Sequence, residues 1–187
     1  MKRYDRAKYR NAVGHSIASG GPGRRGDAAG QDTPFFRYKR DALMHLLKGL
    51  SWQDRRVVEV GCGPGGNLVL VTALGARHTV GIDVSQAMAR EAFALADDLM
   101  PRVGVLVADG THLPLQLRIA DVGLTVTVLQ HLDGEAAAQV VQEMCRVSYD
   151  ELILCEDISV LGFGVRATHV LRRQRDYMTM AREAAFA

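Results

Sequence analysis

With 187 residues, 48% of them hydrophobic, the chain is long enough for one globular core and too short for two substantial domains. No apolar run approaches the roughly 18 residues of a membrane helix. The basic start, Met1-Lys2-Arg3-Tyr4-Asp5-Arg6, leads into Gly and Ser rather than an apolar signal core, so no membrane partner and a cytoplasmic location are expected. The net charge of +2 hides an asymmetry, because residues 1–40 hold ten Lys/Arg against three acids and the remainder thirteen against eighteen. A basic arm on an acidic body fits an anionic substrate, nucleic acid, or simple folding back over the body.

Residues 1–32 show no sustained helical or strand period, and Ser19-Gly20-Gly21-Pro22-Gly23-Arg24-Arg25-Gly26 reads as flexible chain. A flexible N-terminal arm is therefore predicted before one domain over 33–187, and the arm is expected to act as a lid. Thr33 before Pro34 is a helix-start signal. Phe36, Leu43, Leu46, Leu47 and Leu50 fall near one face of that helix, and Gly49 can end it. A first strand follows at 56–60. The next helix runs from Gly66 to Leu74 with Gly75 at its end, and Thr79 to Asp83 is the second strand. Ser85 can cap a helix with Met88, Ala92, Leu95, Ala96 and Leu99 on one face, stopped by Pro101.

Val103 to Val107 is the third strand and Asp121 to Val126 the fourth. Asp133 caps a helix whose apolar face is Ala137, Val140, Val141 and Met144, and Glu151 to Cys155 is the fifth strand. Strands alternating with helices predict a doubly wound parallel sheet with ligands outside the carboxyl ends of its strands. Residues 158–187 are the least legible; Arg172-Arg173-Gln174-Arg175-Asp176-Tyr177 begins a last helix, with no sixth strand expected. Cys62, Cys145 and Cys155 have no paired spacing, so neither a disulfide nor a metal site is implied.

The stretch carrying most functional information is Val57-Val58-Glu59-Val60-Gly61-Cys62-Gly63-Pro64-Gly65-Gly66-Asn67, which reads as strand, tight loop and helix start. Glycines let a backbone approach a ligand closely, and amides at a helix start favour negative charge. Gly61, Gly63 and Gly66 also satisfy the dinucleotide-binding spacing, which keeps an NAD(P)-dependent oxidoreductase in view. Glu59 weighs against it. A carboxylate before the glycines repels a pyrophosphate and suits a cofactor carrying an ammonium or a sulfonium.

Glu59-Val60-Gly61-Cys62-Gly63-Pro64-Gly65 resembles the acid-x-Gly-x-Gly-x-Gly signature of class I S-adenosyl-L-methionine-dependent methyltransferases. Val80-Gly81-Ile82-Asp83-Val84-Ser85, Val107-Ala108-Asp109-Gly110, and Ala120-Asp121-Val122 through Leu129-Gln130-His131-Leu132 are similar to the family's later motifs, in order, so the match spans roughly residues 40–157 with a cofactor-binding core at 56–157. The resemblance implies S-adenosyl-L-methionine as cofactor and a Rossmann-like sheet. It implies that Glu59, Gly61, Cys62, Gly63 and Gly65 form the cofactor loop, that Asp83, followed by Val84, holds the ribose hydroxyls, and that Asp109 and Gly110 meet the adenine. Val126 then contributes a carbonyl and Gln130 lines the methionine end.

The acids also have plainer roles: Asp83 as a helix cap, Asp109 with Gly110 as a turn, Glu59 as a group holding the loop amides. His131, just past the fourth strand, is the candidate base toward a small-molecule acceptor, or else a capping and packing histidine. Tyr4, Tyr9, Phe35, Phe36 and Tyr38 can roof a pocket or pack one helix. A methyltransferase-like module that binds without chemistry is the remaining alternative. The resembled family usually completes its sheet with two antiparallel strands, in the order 3-2-1-4-5-7-6. Here a five-stranded sheet of order 3-2-1-4-5 is expected, its fifth strand left at an edge or covered, with a second copy of the chain as the favoured cover.

Overall fold

The computed structural model describes residues 34–159, 164–166 and 169–185. The predicted arm, 1–32, and Thr33 lie outside the described residues. Helix α1 (Pro34–Lys48) leads into β1 (Arg56–Val60), α2 (Gly66–Ala73), β2 (His78–Asp83) and α3 (Gln86–Leu95). After a 3₁₀ turn at Asp97–Leu99 come β3 (Val103–Val107) and β4 (Ala120–Val126), a second 3₁₀ turn at Leu129–His131, α4 (Gly134–Val147) and β5 (Ser148–Cys155). The described chain then forms β6 (Gly164–Arg166), β7 (His169–Leu171) and α5 (Gln174–Ala185).

Strands β1 to β5 form one sheet, all parallel as the alternation of strand and helix signals predicts, in the order β3-β2-β1-β4-β5 that the family resemblance implies. Apolar residues pack on both faces, the condition that parallel sheets impose. Alternation along β1 sends Val58 and Val60 toward the α4 and α5 side, with Ile82, Val140, Val141, Met144 and Tyr177. It sends Val57 to the other face, with Leu47, Trp52, Val71, Val122 and Leu124. Trp52 Nε1 donates to Leu47 O at 2.6 Å, tying the end of α1 to this second layer.

Two predicted caps are present in atomic detail. Ser85 Oγ accepts from Met88 N at 3.2 Å, and Asp133 Oδ1 accepts from Ala136 N at 2.9 Å. Two predicted core residues are not in the core: Leu46 is 46% and Leu95 55% exposed. Each lies at the margin of its apolar stripe. In α3 the buried positions are Met88, Ala89 and Ala92, with Ala96 just beyond, so the stripe runs toward Ala89 and turns Leu95 outward.

The expectation that no strand follows the fifth is corrected by β6 and β7. They pair antiparallel with each other as a separate two-stranded sheet, Gly164 opposite Leu171 and Arg166 opposite His169, and do not extend the main sheet. Three residues per strand are too few to give a periodic signal. The last helix begins at Gln174 rather than Arg172, because Arg172 is engaged in a parallel bridge with Ile158. Among the described residues no helix is long and apolar enough to cross a membrane.

Candidate cofactor site

The carboxyl ends of the five strands bring the sequence-predicted residues to one rim, the place where an open parallel sheet holds ligands. Glu59 lies on the Val57 face, one residue short of the end of β1, and so points toward the start of α2, where Asn67 Nδ2 donates to its Oε1 at 2.7 Å. It is 1% exposed, and its second oxygen, Oε2, has no hydrogen-bond partner among the described residues. Burial pushes its carboxyl up to about 8, with the Asn67 bond opposing and the nearby Asp83 charge reinforcing the shift. A buried acceptor without a donor is uncommon in folded proteins and marks a place for a ligand or a water.

The glycine loop leaves β1 by bonding Gly61 N and Cys62 N to Ile82 O at 2.7 and 3.1 Å. Gly63 has φ +53, a left-handed conformation that costs a β-carbon strain, and no atom of the described residues lies within 4 Å of where that carbon would stand. The loop is thus open on the side of Gly63. Cys62 faces inward, 5% exposed, and burial raises its thiol far above the usual range, so it packs as an apolar residue. No side chain caps the start of α2, whose N-cap is Gly65.

Asp83 ends β2 and is 7% exposed. Its Oδ2 accepts from Gly63 N at 2.9 Å and its Oδ1 from Ser85 N at 2.8 Å. It therefore joins the glycine loop to the start of α3. Val84 is half-buried between Asp83 and the capping Ser85.

Asp109 is exposed just beyond β3, and its Oδ1 accepts from Thr111 N and Thr111 Oγ1, both at 2.9 Å, the Asx-turn arrangement. Gly110 backs onto the core, where an added β-carbon would stand 2.8 Å from Val60 Cγ1. The chain after Asp109 is pinned by α4: Leu113 N donates to Glu143, and Arg146 donates to Leu113 O and Leu115 O.

Val126 ends β4, half-buried and in register with Cys155. Gln130 is buried, and its Oε1 accepts from Asp157 N at 3.0 Å, so its side chain braces the end of β5. His131 is half-buried in the 3₁₀ turn, its N donating to Val128 O at 2.9 Å.

Sequence reasoning passed over three charged groups here. Glu156, directly after β5, accepts from Thr125 Oγ1, Val128 N and Gln130 N. Buried Arg172 donates to Leu129 O and Leu132 O. Both carboxylate oxygens of Asp157 accept from Lys39 Nζ of α1, at 2.6 and 2.8 Å. An acid at the carboxyl end of a strand was the signal that picked out Asp83, and Glu156 carries the same signal.

Comparison with known proteins bears on this rim. The sequence model of the family described as "Methyltransferase domain" matches residues 57–150. No curated protein sequence matches the chain. Among solved structures, magnesium protoporphyrin IX methyltransferase (ChlM) from Synechocystis PCC 6803 with bound SAH is similar at 19% identity over 95% of this chain and 86% of that one, TM-score 0.74. The [4+2]-cyclase SpnF is similar at 20% identity over 95% of this chain and 70% of that one, TM-score 0.72. Geranyl diphosphate C-methyltransferase from Streptomyces coelicolor A3(2) is similar at 15% identity, TM-score 0.66, over 80% of this chain and 61% of that one. At such identities the likeness is one of fold.

Proposed function

The chain belongs to the methyltransferase-domain family, and we propose that it transfers a methyl group from S-adenosyl-L-methionine to a small organic acceptor. One observation carries the choice of cofactor: the buried Glu59 Oε2, without a hydrogen-bond partner among the described residues, near a glycine loop that those residues leave open at Gly63. A carboxylate there suits an ammonium and disfavours the pyrophosphate of a dinucleotide. The residues present fit the cofactor. When bound, it supplies an electrophilic methyl on a sulfonium. In this reading Glu59 receives the amino group directly or through water, and Asp83 accepts from the ribose hydroxyls. Oδ2 of Asp109, opposite the atom committed to its turn, serves the adenine amino group.

Transfer between well-oriented partners needs little further chemistry, since positioning alone reaches effective molarities of about 10⁵ to 10⁸ M. His131 is the group in this reading that takes a proton from an acidic acceptor. Support for a small acceptor comes from fold relatives whose named substrates are geranyl diphosphate and magnesium protoporphyrin IX. A fold shared with a protein described as a cyclase shows that the reaction has to be read from the site and not from the sheet.

The test is calorimetry with S-adenosylhomocysteine and with NAD on the wild type and on Asp83→Asn. S-adenosylhomocysteine should bind and NAD should not. The variant, keeping size but losing charge, should bind roughly ten- to a hundredfold more weakly, the worth of charge-assisted bonds to the ribose. Binding of NAD alone, or an unchanged affinity in Asp83→Asn, would overturn the reading.

A further inference from the structure

The turn between β4 and α4 is gripped by two opposite charges from a later part of the chain. Glu156 takes Thr125 Oγ1 at 3.2 Å, Val128 N at 3.1 Å and Gln130 N at 3.2 Å, so both of its oxygens are engaged. Arg172, 2% exposed, donates from Nη1 to Leu129 O and from Nη2 to Leu132 O, each at 2.7 Å. The amides of one short turn thus face a carboxylate and its carbonyls face a guanidinium, the charge order that aligned peptide dipoles favour. The two charges belong to one strap, because Ile158 bridges Arg172 and Ser159 N donates to Arg172 O at 2.9 Å.

That grip opposes a strain. Thr127 has φ +54, a left-handed conformation unusual for a β-branched residue, and such backbones persist only where their surroundings enforce them. Thr127 is fixed on one side by its N–H bond to Cys155 O at 2.8 Å. On its other side is Val128, whose amide Glu156 holds. The side chain of Val128 packs directly over Gly61, closely enough that a β-carbon at Gly61 would collide with its Cγ2. Glu156 therefore reaches the first glycine of the cofactor loop through a single residue.

We propose that Glu156 is a positioning residue for methyl transfer: by gathering the amides of Val128 and Gln130 it keeps Val128 seated on Gly61, and so fixes how the glycine loop stands toward the cofactor. The proposal rests on the methyltransferase reading above. A carboxylate is suited to this because it accepts at both oxygens, whereas a Gln in its place would turn an NH2 toward one of the N–H donors it must satisfy. The neighbouring Asp157 extends the strap to α1 through Lys39, so the first helix is tied to the same turn.

The experiment compares wild type, Glu156→Gln and, as a control, Asp121→Asn, which disturbs the 2.9 Å Arg56–Asp121 ion pair at the opposite end of the sheet. Three readouts are taken: urea stability, S-adenosylhomocysteine affinity, and amide signals by NMR with hydrogen exchange. Glu156→Gln should speed exchange at Val128 and Gln130 by about tenfold or more, shift the Gly61 amide signal, and weaken S-adenosylhomocysteine about tenfold. Asp121→Asn should lower stability without moving either the Gly61 signal or the affinity. An unmoved Gly61 signal in Glu156→Gln overturns the proposal, and so does an affinity loss that Asp121→Asn reproduces at equal stability. If wild type fails to bind S-adenosylhomocysteine, the functional reading falls; the Gly61 signal, read without ligand, still decides whether Glu156 sets the loop.

Discussion

Glu59 is the residue whose environment makes the sharpest statement about the cofactor, since its carboxyl is held at about 8 against a usual value of 4.5. Between those values the folded protein binds a proton that the unfolded chain has released. Stability is therefore fullest below about pH 4.5 with respect to this group, and it falls as pH rises toward about 8. Glu59→Gln should flatten that slope and raise stability at alkaline pH; urea titrations across the range measure it. A cationic ligand beside Glu59 favours the ionised form, so binding near neutral pH should release a proton, and affinity should climb with pH until the group is ionised. Calorimetry of S-adenosylhomocysteine in two buffers of different ionisation enthalpy reads that proton. Binding without proton release would place the ligand's amino group away from Glu59.

The glycines of one loop serve different ends at the level of elements. Gly65 has φ +86, and an added β-carbon would stand 2.9 Å from Ala92 Cα and Cβ, so this glycine lets the start of α2 approach α3. Gly65→Ala should cost about 1–3 kcal/mol of stability through strain and overpacking together. Gly66, first residue of α2, has nothing within 4 Å of its would-be β-carbon and no left-handed φ. Gly66→Ala should leave the stability of the free protein unchanged or raise it by up to about 1 kcal/mol. Paired urea denaturation curves test the contrast, and equal losses in both variants would contradict it.

Such differences mark the limit of what sequence could reveal. The spacing Gly61-x-Gly63-x-Gly65 announces a loop, yet which glycine faces open space and which faces Ala92 depends on where α3 lands. The caps at Ser85 and Asp133 were legible because a cap is a local bond across three residues. Glu156 and Arg172 were not singled out, because their partners lie 26 to 43 positions away and follow no short motif.

For the whole molecule, the parallel sheet was readable from the alternation of strand and helix signals and its order from the family resemblance, while the segment after β5 was not legible. The asymmetry of charge has a consequence among the described residues: Lys39 of the basic portion is paired with Asp157 of the acidic body. The outer edge of β5 has no strand partner among the described residues, and its amino-terminal half is not apolar. Tyr149, Asp150 and Glu151 are exposed there, and Arg55 pairs with both acids. Charges along an edge oppose pairing with another chain, since association would bring like charges together and strip their water. Each exposed pair adds only about 0–1 kcal/mol to folding, so the acids matter here for keeping chains apart rather than for stability. Asp150→Val combined with Glu151→Val should therefore leave the urea midpoint nearly unchanged while producing larger species in light scattering as concentration rises. If the double variant scatters like the wild type across that range, charge is not what guards the edge, and cover by another part of the chain or by a second copy regains its place.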